Sequence, residues 1–584
     1  MANKKFSEFT LKTDPANVDF LVGYDGTDNV RIDPDDLGGG GASDLNGLTD
    51  CLVDTASLYV GEVPSGLSGN PQGNTVLGID AGNALTSGGY NTLIGYQSGV
   101  AINTGNFNIT VGYEAGNNIT SGADNVAIGR SSLNVTTGSN TVAVGYQTGA
   151  LSSSSNAAYL GYQAGRANQN DGHISIGYQA GFSQTSAPNN TNIGYKAGYS
   201  NTTEDSRTIV GYECGEYSTG SDNTFMGRRA GRGSSGQTNS GSKNTAIGQS
   251  AGLGITTGAE NTFLGFQVGQ YNATASYNTF VGARTSSNAT VTGGNNTGVG
   301  YSALAFLSSG ANNTVLGYQA GTDITTGSNN TIMGYQAGSN ITTGFGHIAI
   351  GQNALDAVTT SSDNIAIGRD ALGAATSGRN IAIGKYAQRS MNRGSAFSTS
   401  NVAIGYNADA NNNYGYYRTN IGAETGGGDG ANVTNIGYNA QASSSSAANE
   451  VTLGNSSITA LRCAVTSITS LSDERDKSEI KDLEYGLAFV DALQPREFVW
   501  DNRPETRVEV DEEGNETEEE FYSANKGKKD FGFIAQEVRE LDNETLRLVY
   551  TENEEKLELS YGKLVPILVK AIQELKEEVE LLKS

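Results

Sequence analysis

One short phrase constrains this chain more than anything else in it: an Asn, a three-residue β-prone run and a Gly, repeated along most of its length. Asn74-Thr75-Val76-Leu77-Gly78, Asn91-Thr92-Leu93-Ile94-Gly95, Asn125-Val126-Ala127-Ile128-Gly129, Asn313-Thr314-Val315-Leu316-Gly317 and Asn364-Ile365-Ala366-Ile367-Gly368 are copies of one unit. Its marker glycines, Gly78, Gly95, Gly112 and Gly129 first, recur about every 17 residues as far as Gly454, with occasional longer steps. Fuller copies add Tyr-x-Ala-Gly and a polar turn, as in Gly317-Tyr318-Gln319-Ala320-Gly321 and Thr325-Thr326-Gly327. A repeat this short cannot bury an apolar face alone and must stack on its neighbours. Alternation over about five residues suits a strand, and Gly permits the bend that follows. Each copy is therefore expected to form one rung of a parallel stack, with a second short strand and a turn.

The apolar content of a rung sets the expected assembly. The inward residues are read as the large aliphatic before the marker Gly (Leu77, Ile94, Val111, Ile128, Leu316, Ile350) and the small residue three after it (Ala81, Ala115, Ala320, Ala337). Two such residues per rung do not offset a backbone ordering cost of roughly 1 to 2 kcal/mol per residue. Three chains around one axis would pool their aliphatics, which predicts a homotrimeric rod. The leading Asn has two readings, a stacked ladder or a plain turn preference.

Composition removes several function classes. Only 36% of the 584 residues are hydrophobic, Gly numbers 79, and the net charge of -25 leaves no basic stripe for nucleic acid or an anionic membrane. Cys51, Cys214 and Cys463 lie too far apart for a disulfide framework or a metal box, and Cys214 takes a position where neighbouring repeats have Ala. With His173 and His347 the only histidines, a His-based metal site or a Ser-His-Asp site is not expected, and no cofactor or metal is assigned. No stretch is apolar enough to span a bilayer, and no signal sequence follows Met1, so the expectation is synthesis in a cytoplasm without membrane insertion. Carboxylates such as Glu114, Asp124, Glu260 and Asp370 are too scattered to nominate a glycosidase pair.

The chain divides by composition. Residues 1–37 read as an N-terminal hairpin segment with a tight turn at Asp25-Gly26, and 38–73 as a linker leading into the rod. Residues 74–471 hold the array, and 472–584 have ordinary mixed α/β composition with the sole Trp, Trp500. There, helical spacing runs from Ile480 to Leu493, strands are expected at Glu497–Trp500 and Arg507–Val510, a helix at Phe533–Leu541, and a solvated hairpin tip over the acidic run Glu512–Glu520. From Tyr561 a heptad seam places Val565, Ile572 and Val579 at one position and Leu568, Leu575 and Leu582 at the other.

At the border, Ser472 stands five residues before Lys477, and a lysine that has lost its proton can serve as base for a serine hydroxyl, with Arg475 the nearest positive charge. Ser472-Asp473-Glu474-Arg475-Asp476-Lys477, Leu493-Gln494-Pro495, Phe498-Val499-Trp500, Gly532-Phe533-Ile534-Ala535-Gln536-Glu537-Val538 and the terminal helix together resemble the peptidase S74 family of intramolecular chaperones. That resemblance implies an α/β domain that ends phage tail fibres or tailspikes, drives trimer assembly and releases itself in a single turnover. Ser472 would be its nucleophile, Lys477 its base and Leu471-Ser472 the bond broken. The acidic insert Glu509 to Glu520 departs from the family's pattern.

The array is similar to the head repeats of trimeric autotransporter adhesins, with Asn380-Ile381-Ala382-Ile383-Gly384 and Asn401-Val402-Ala403-Ile404-Gly405 as nearest matches, though its period is longer. The residues around Val18 to Leu37 resemble the opening segments of phage fibre proteins. The expectation is a mainly β virion fibre, a trimeric parallel β-roll or β-helix. Its N-terminus would dock on phage tail or baseplate proteins, and its rod would meet a glycan or protein receptor on the host surface. A bacterial trimeric adhesin and a polysaccharide depolymerase are the alternatives. Because near-identical repeats can slip by one copy, their register has to be set from outside the array.

Overall fold

The computed structural model describes residues 20–24, 29–32, 51–54, 57–61 and 64–68 and, with short interruptions, 71–389, 399–462, 473–501, 505–510, 516–521, 526–550 and 557–584. The fold is mainly β, a 24-strand parallel β-solenoid of about 22 turns with few helices. Two compact units divide the chain, Met1–Thr326 and Gly327–Ser584.

In the first unit, Phe20–Tyr24 pairs antiparallel with Asn29–Ile32, and Cys51–Asp54 with Ser57–Gly61. Ser57–Gly61 then pairs in parallel with Thr75–Gly78, and from there each coil adds one short strand to the last: Thr75↔Thr92, Thr92↔Ile109, Ile109↔Val126 and so on. A coil contributes one such strand, and turns fill the place of the expected second one. The second unit continues the same construction from Thr331–Met333 to Glu450–Leu453.

The Asn at the head of most strands forms a ladder. Asn91 donates its backbone N–H to Asn74 Oδ1 at 2.9 Å, and its Nδ2 donates to the Gly105 carbonyl at 3.0 Å; Asn108 and Asn125 repeat the pattern one coil further each time. Each side chain thus satisfies an amide and a carbonyl that burial would otherwise leave at a cost of about 1 to 3 kcal/mol apiece.

Because that Asn points inward, period-two alternation fixes the rest of the strand. The middle residue faces the core: Val76, Leu93, Ala127, Phe263 and Val315 are buried, whereas Leu77 (48% exposed), Ile128 (38%) and Leu316 (44%) face outward. The expectation that the aliphatic before the marker Gly is the core residue is therefore wrong. The small residue three after the Gly is inside as expected, with Ala81, Ala115, Ala320 and Ala337 fully buried, and turn residues such as Leu85, Ile102 and Ile119 add a further inward column. One chain consequently closes its own core, and the argument that threefold winding is compulsory for a rung to fold does not hold.

The marker Gly is required for two reasons at once. Gly78 has φ +142°, and a Cβ there would lie 2.5 Å from the Gly95 carbonyl oxygen of the next coil. After it the chain presents a row of aromatics on the outer surface. The rings of Tyr146, Tyr162, Tyr178, Tyr195 and Tyr212 stack nearly parallel with centroids 5.0 to 5.1 Å apart, so each ring face is covered by its neighbours and only edges meet solvent.

The residues after the array fold as a small α/β body. Helices α1 (Leu487–Ala492), α2 (Ala535–Arg539) and α3 (Leu564–Lys583) surround short antiparallel pairs, Arg496–Val499 with Lys529–Gly532 and Val549–Tyr550 with Glu558–Leu559. The acidic insert forms a hairpin of its own, Glu505–Val510 against Glu516–Phe521. The helix expected over Ile480–Leu493 is confined to Leu487–Ala492: its N-cap is Gly486, which has no side chain to cap it, and the residues before it are extended or bent.

Candidate functional site

Leu471 and Ser472 lie outside the described residues, so the described part of the border begins at Asp473. Asp473 caps a single 3-10 turn, Glu474–Asp476, by accepting the Arg475 N–H at 2.9 Å, and Lys477 closes the turn by donating its N–H to the Glu474 carbonyl. Lys477 is extended and exposed. Arg475, expected to act electrostatically on the lysine, is instead engaged by Asp473, with Nη2 at 2.6 Å from Oδ2 and Nε at 3.0 Å from Oδ1. That guanidinium holds the Asp473 carboxyl below its usual range.

The blocks that follow hold the body together. Leu493, Val538, Leu546, Leu548, Val549, Leu564 and Ile567 form its core. Glu537, inside the Gly532–Val538 block, takes Arg496 in a bidentate pair at 3.0 Å on both arms. Phe533 donates its N–H to the Tyr561 hydroxyl, Trp500 Nε1 donates to Asp530, and Glu574 of α3 accepts the first free N–H of α1, from Leu487, at 2.7 Å. These motif residues thus act structurally, tying the Trp500 strand and α1 to α2 and α3.

Helix α3 divides its apolar residues between two sides. Leu564, Ile567 and Ala571 are buried against the body, while the six heptad positions, Val565, Leu568, Ile572 (65% exposed), Leu575, Val579 and Leu582 (88%), face solvent. An apolar stripe of this length along one helix is not what a solitary domain leaves uncovered.

In the array, the two histidines occupy the ladder position. His347 Nδ1 accepts the Asn364 N–H at 3.2 Å and Nε2 lies 2.7 Å from the Ser361 carbonyl, the same two duties an Asn amide performs. Burial lowers the His347 pKa and brings that of His173 down to about 4. Cys214 is buried in the small-residue column as expected, and burial pushes its thiol up to about 12. Sequence reasoning missed the arginines of the ladder, Arg207 and Arg418, which are legible once the ladder position is recognised and its Asn is seen to be replaced. Among the described residues no group of acidic, His or Cys side chains could hold a metal ion, and no helix is long and apolar enough to cross a membrane.

No curated protein and no solved structure matches the chain. Residues 472–547 match the Peptidase_S74 family, described as the chaperone of endosialidase, so the chain carries this domain at its C-terminal end behind a long β-solenoid, a combination consistent with a phage tail fibre or tailspike.

Proposed function

We propose that the chain is the subunit of a homotrimeric virion fibre whose C-terminal domain gathers three copies, fixes the register of the array and then cuts itself away at Leu471-Ser472. The observation that carries assembly through this domain is the uncovered stripe of α3, since six apolar heptad positions in water call for identical helices to cover them. The number three rests on the S74 resemblance, because Val and Ile at one heptad position with Leu at the other favour two strands in isolated coiled coils. The outward aliphatics of the array, among them Leu77, Leu160 and Leu264, add a second apolar surface suited to other copies. N-terminal docking to a phage tail or baseplate and contact with a host-surface glycan or protein complete the proposal.

In the cutting step, the Ser472 hydroxyl attacks the Leu471 carbonyl carbon and Lys477 takes its proton. The C–N bond breaks as the Ser472 nitrogen is protonated, and water then hydrolyses the resulting ester. A lysine acts as base only when its amine is withdrawn from water. Lys477 is exposed in the single chain, so on this reading cutting waits until neighbouring copies cover it.

Expression of the full chain followed by a denaturing gel tests the chemistry. Two bands are expected from the wild type and one full-length band from Ser472→Ala and from Lys477→Met. Two bands from Ser472→Ala would remove that residue from the mechanism.

A further inference from the structure

Among the described residues the Asn ladder is interrupted by arginine at two coils, Arg207 and Arg418, and the pair forms an internal control. Each side chain is 1% exposed, and each backbone N–H is still accepted by the preceding ladder residue, Asn190 Oδ1 at 2.9 Å and Asn401 Oδ1 at 3.0 Å. Arg418 meets a buried carboxylate: its Nη2 lies 2.7 Å from Asp409 Oδ1 and 3.2 Å from the Gly427 carbonyl. For Arg207 no acceptor among the described residues lies within hydrogen-bond reach of Nε, Nη1 or Nη2.

The groups around Arg207 do not supply the missing charge. Glu204 is near enough to act on it electrostatically, but its carboxylate is turned to the Thr202 and Thr203 amides and the Thr203 hydroxyl in an exposed turn. Cys214 stays a neutral thiol, donating to the Ala230 carbonyl. Burial lowers the Arg207 guanidinium only to about 10, which leaves it charged at neutral pH. A buried charge left without a partner is strongly destabilising.

The coils just before Arg207 are also polar inside. Ser175 and Asn192 hold the mid-strand core position that Val76, Ala127 and Phe263 hold elsewhere. Gln184 Oε1 accepts from Asn192 Nδ2 at 3.3 Å, while Gln184 Nε2 and Ser175 Oγ are buried without a hydrogen-bond partner among the described residues.

We propose that the solenoid interior at Arg207 binds a small monovalent inorganic anion of halide size, taking the part that Asp409 plays for Arg418. One guanidinium sets the charge at minus one. Neighbouring coils bond to each other directly, as Thr208 N does to Asn223 O at 3.0 Å, so an anion held between them has to be small.

The test is thermal unfolding of the full chain in sodium fluoride, chloride and bromide at one ionic strength, beside two variants. Wild type is expected to unfold several degrees higher in chloride or bromide than in strongly hydrated fluoride, with the gain growing as the logarithm of halide concentration. Arg207→Asn restores the usual ladder residue and should lose that difference; Asp409→Asn strips Arg418 of its counter-charge and should enlarge it. Crystals grown in sodium bromide should show an anomalous peak beside the Arg207 guanidinium. Equal halide dependence in wild type and Arg207→Asn, or water alone beside that guanidinium, overturns the proposal.

Discussion

The coils from Asn74 to Asn313 and the body after Lys477 treat their partners in opposite ways. A coil sends its backbone bonds, its Asn amide and its core residue to the coils directly before and after it, as Asn91 does toward Asn74 and Asn108. The C-terminal body instead carries a closed core on one side of α3 and an open apolar stripe on the other. Local satisfaction makes the coil sufficient within one chain, whereas the stripe of α3 finds no cover among the described residues of its own chain.

The contrast can be broken most directly at the helix. Replacing Ile572 and Leu575 together with Asp should abolish self-association in sedimentation while leaving the far-ultraviolet β signal of the coils unchanged; a variant that still assembles would place the assembly contact elsewhere. The array should respond the other way. Gly95→Ala puts a Cβ 2.7 Å from the Gly112 carbonyl oxygen at φ +122° and should destabilise the adjoining coils by roughly 3 to 5 kcal/mol, read by hydrogen exchange, with α3 unaffected.

A smaller effect is titratable. His173 is neutral when folded and has its pKa lowered to about 4 by burial, so between pH 6.5 and 4 the unfolded chain takes up a proton that the folded chain refuses. Stability is full above pH 6.5 and falls as the pH drops, by on the order of 3 kcal/mol at pH 4. His173→Asn should flatten that part of the profile in chemical denaturation at a series of pH values, and an unchanged slope would show that the histidine is not the group responsible.

Much of this was legible in the sequence, and the failures have a definite cause. The period, the parallel stacking and the inward Ala81 column follow from spacing, while the leading Asn is open to a ladder or a turn preference. The S74 resemblance rests on blocks from Ser472 to Val538, which the family match over Ser472 to Arg547 covers, and on a terminal helix beyond it. The strand phase does not follow, because hydrophobicity alone points to the largest aliphatic, such as Leu77, as the core residue, whereas Val76 holds that place. Asn74 is buried by its hydrogen bonds and not by its hydrophobicity, and it alone sets which way Val76 and Leu77 point. Missing the middle and turn columns made the core look too thin for one chain. At the border, the pairing of Arg475 with Asp473 was hidden because an i, i+2 contact depends on a 3-10 turn that the residue pattern does not announce.

Where the marker glycine and its Asn are both kept, a coil ends in the same chemical socket with which it begins. A replication slip that deletes or duplicates the codons from one Asn to the next therefore rejoins matching halves, with Thr75 meeting the partner pattern that Thr92 had offered. The gene can change the number of layers in whole steps while both termini keep their sequence, so length is a trait that selection can adjust without redesigning the protein.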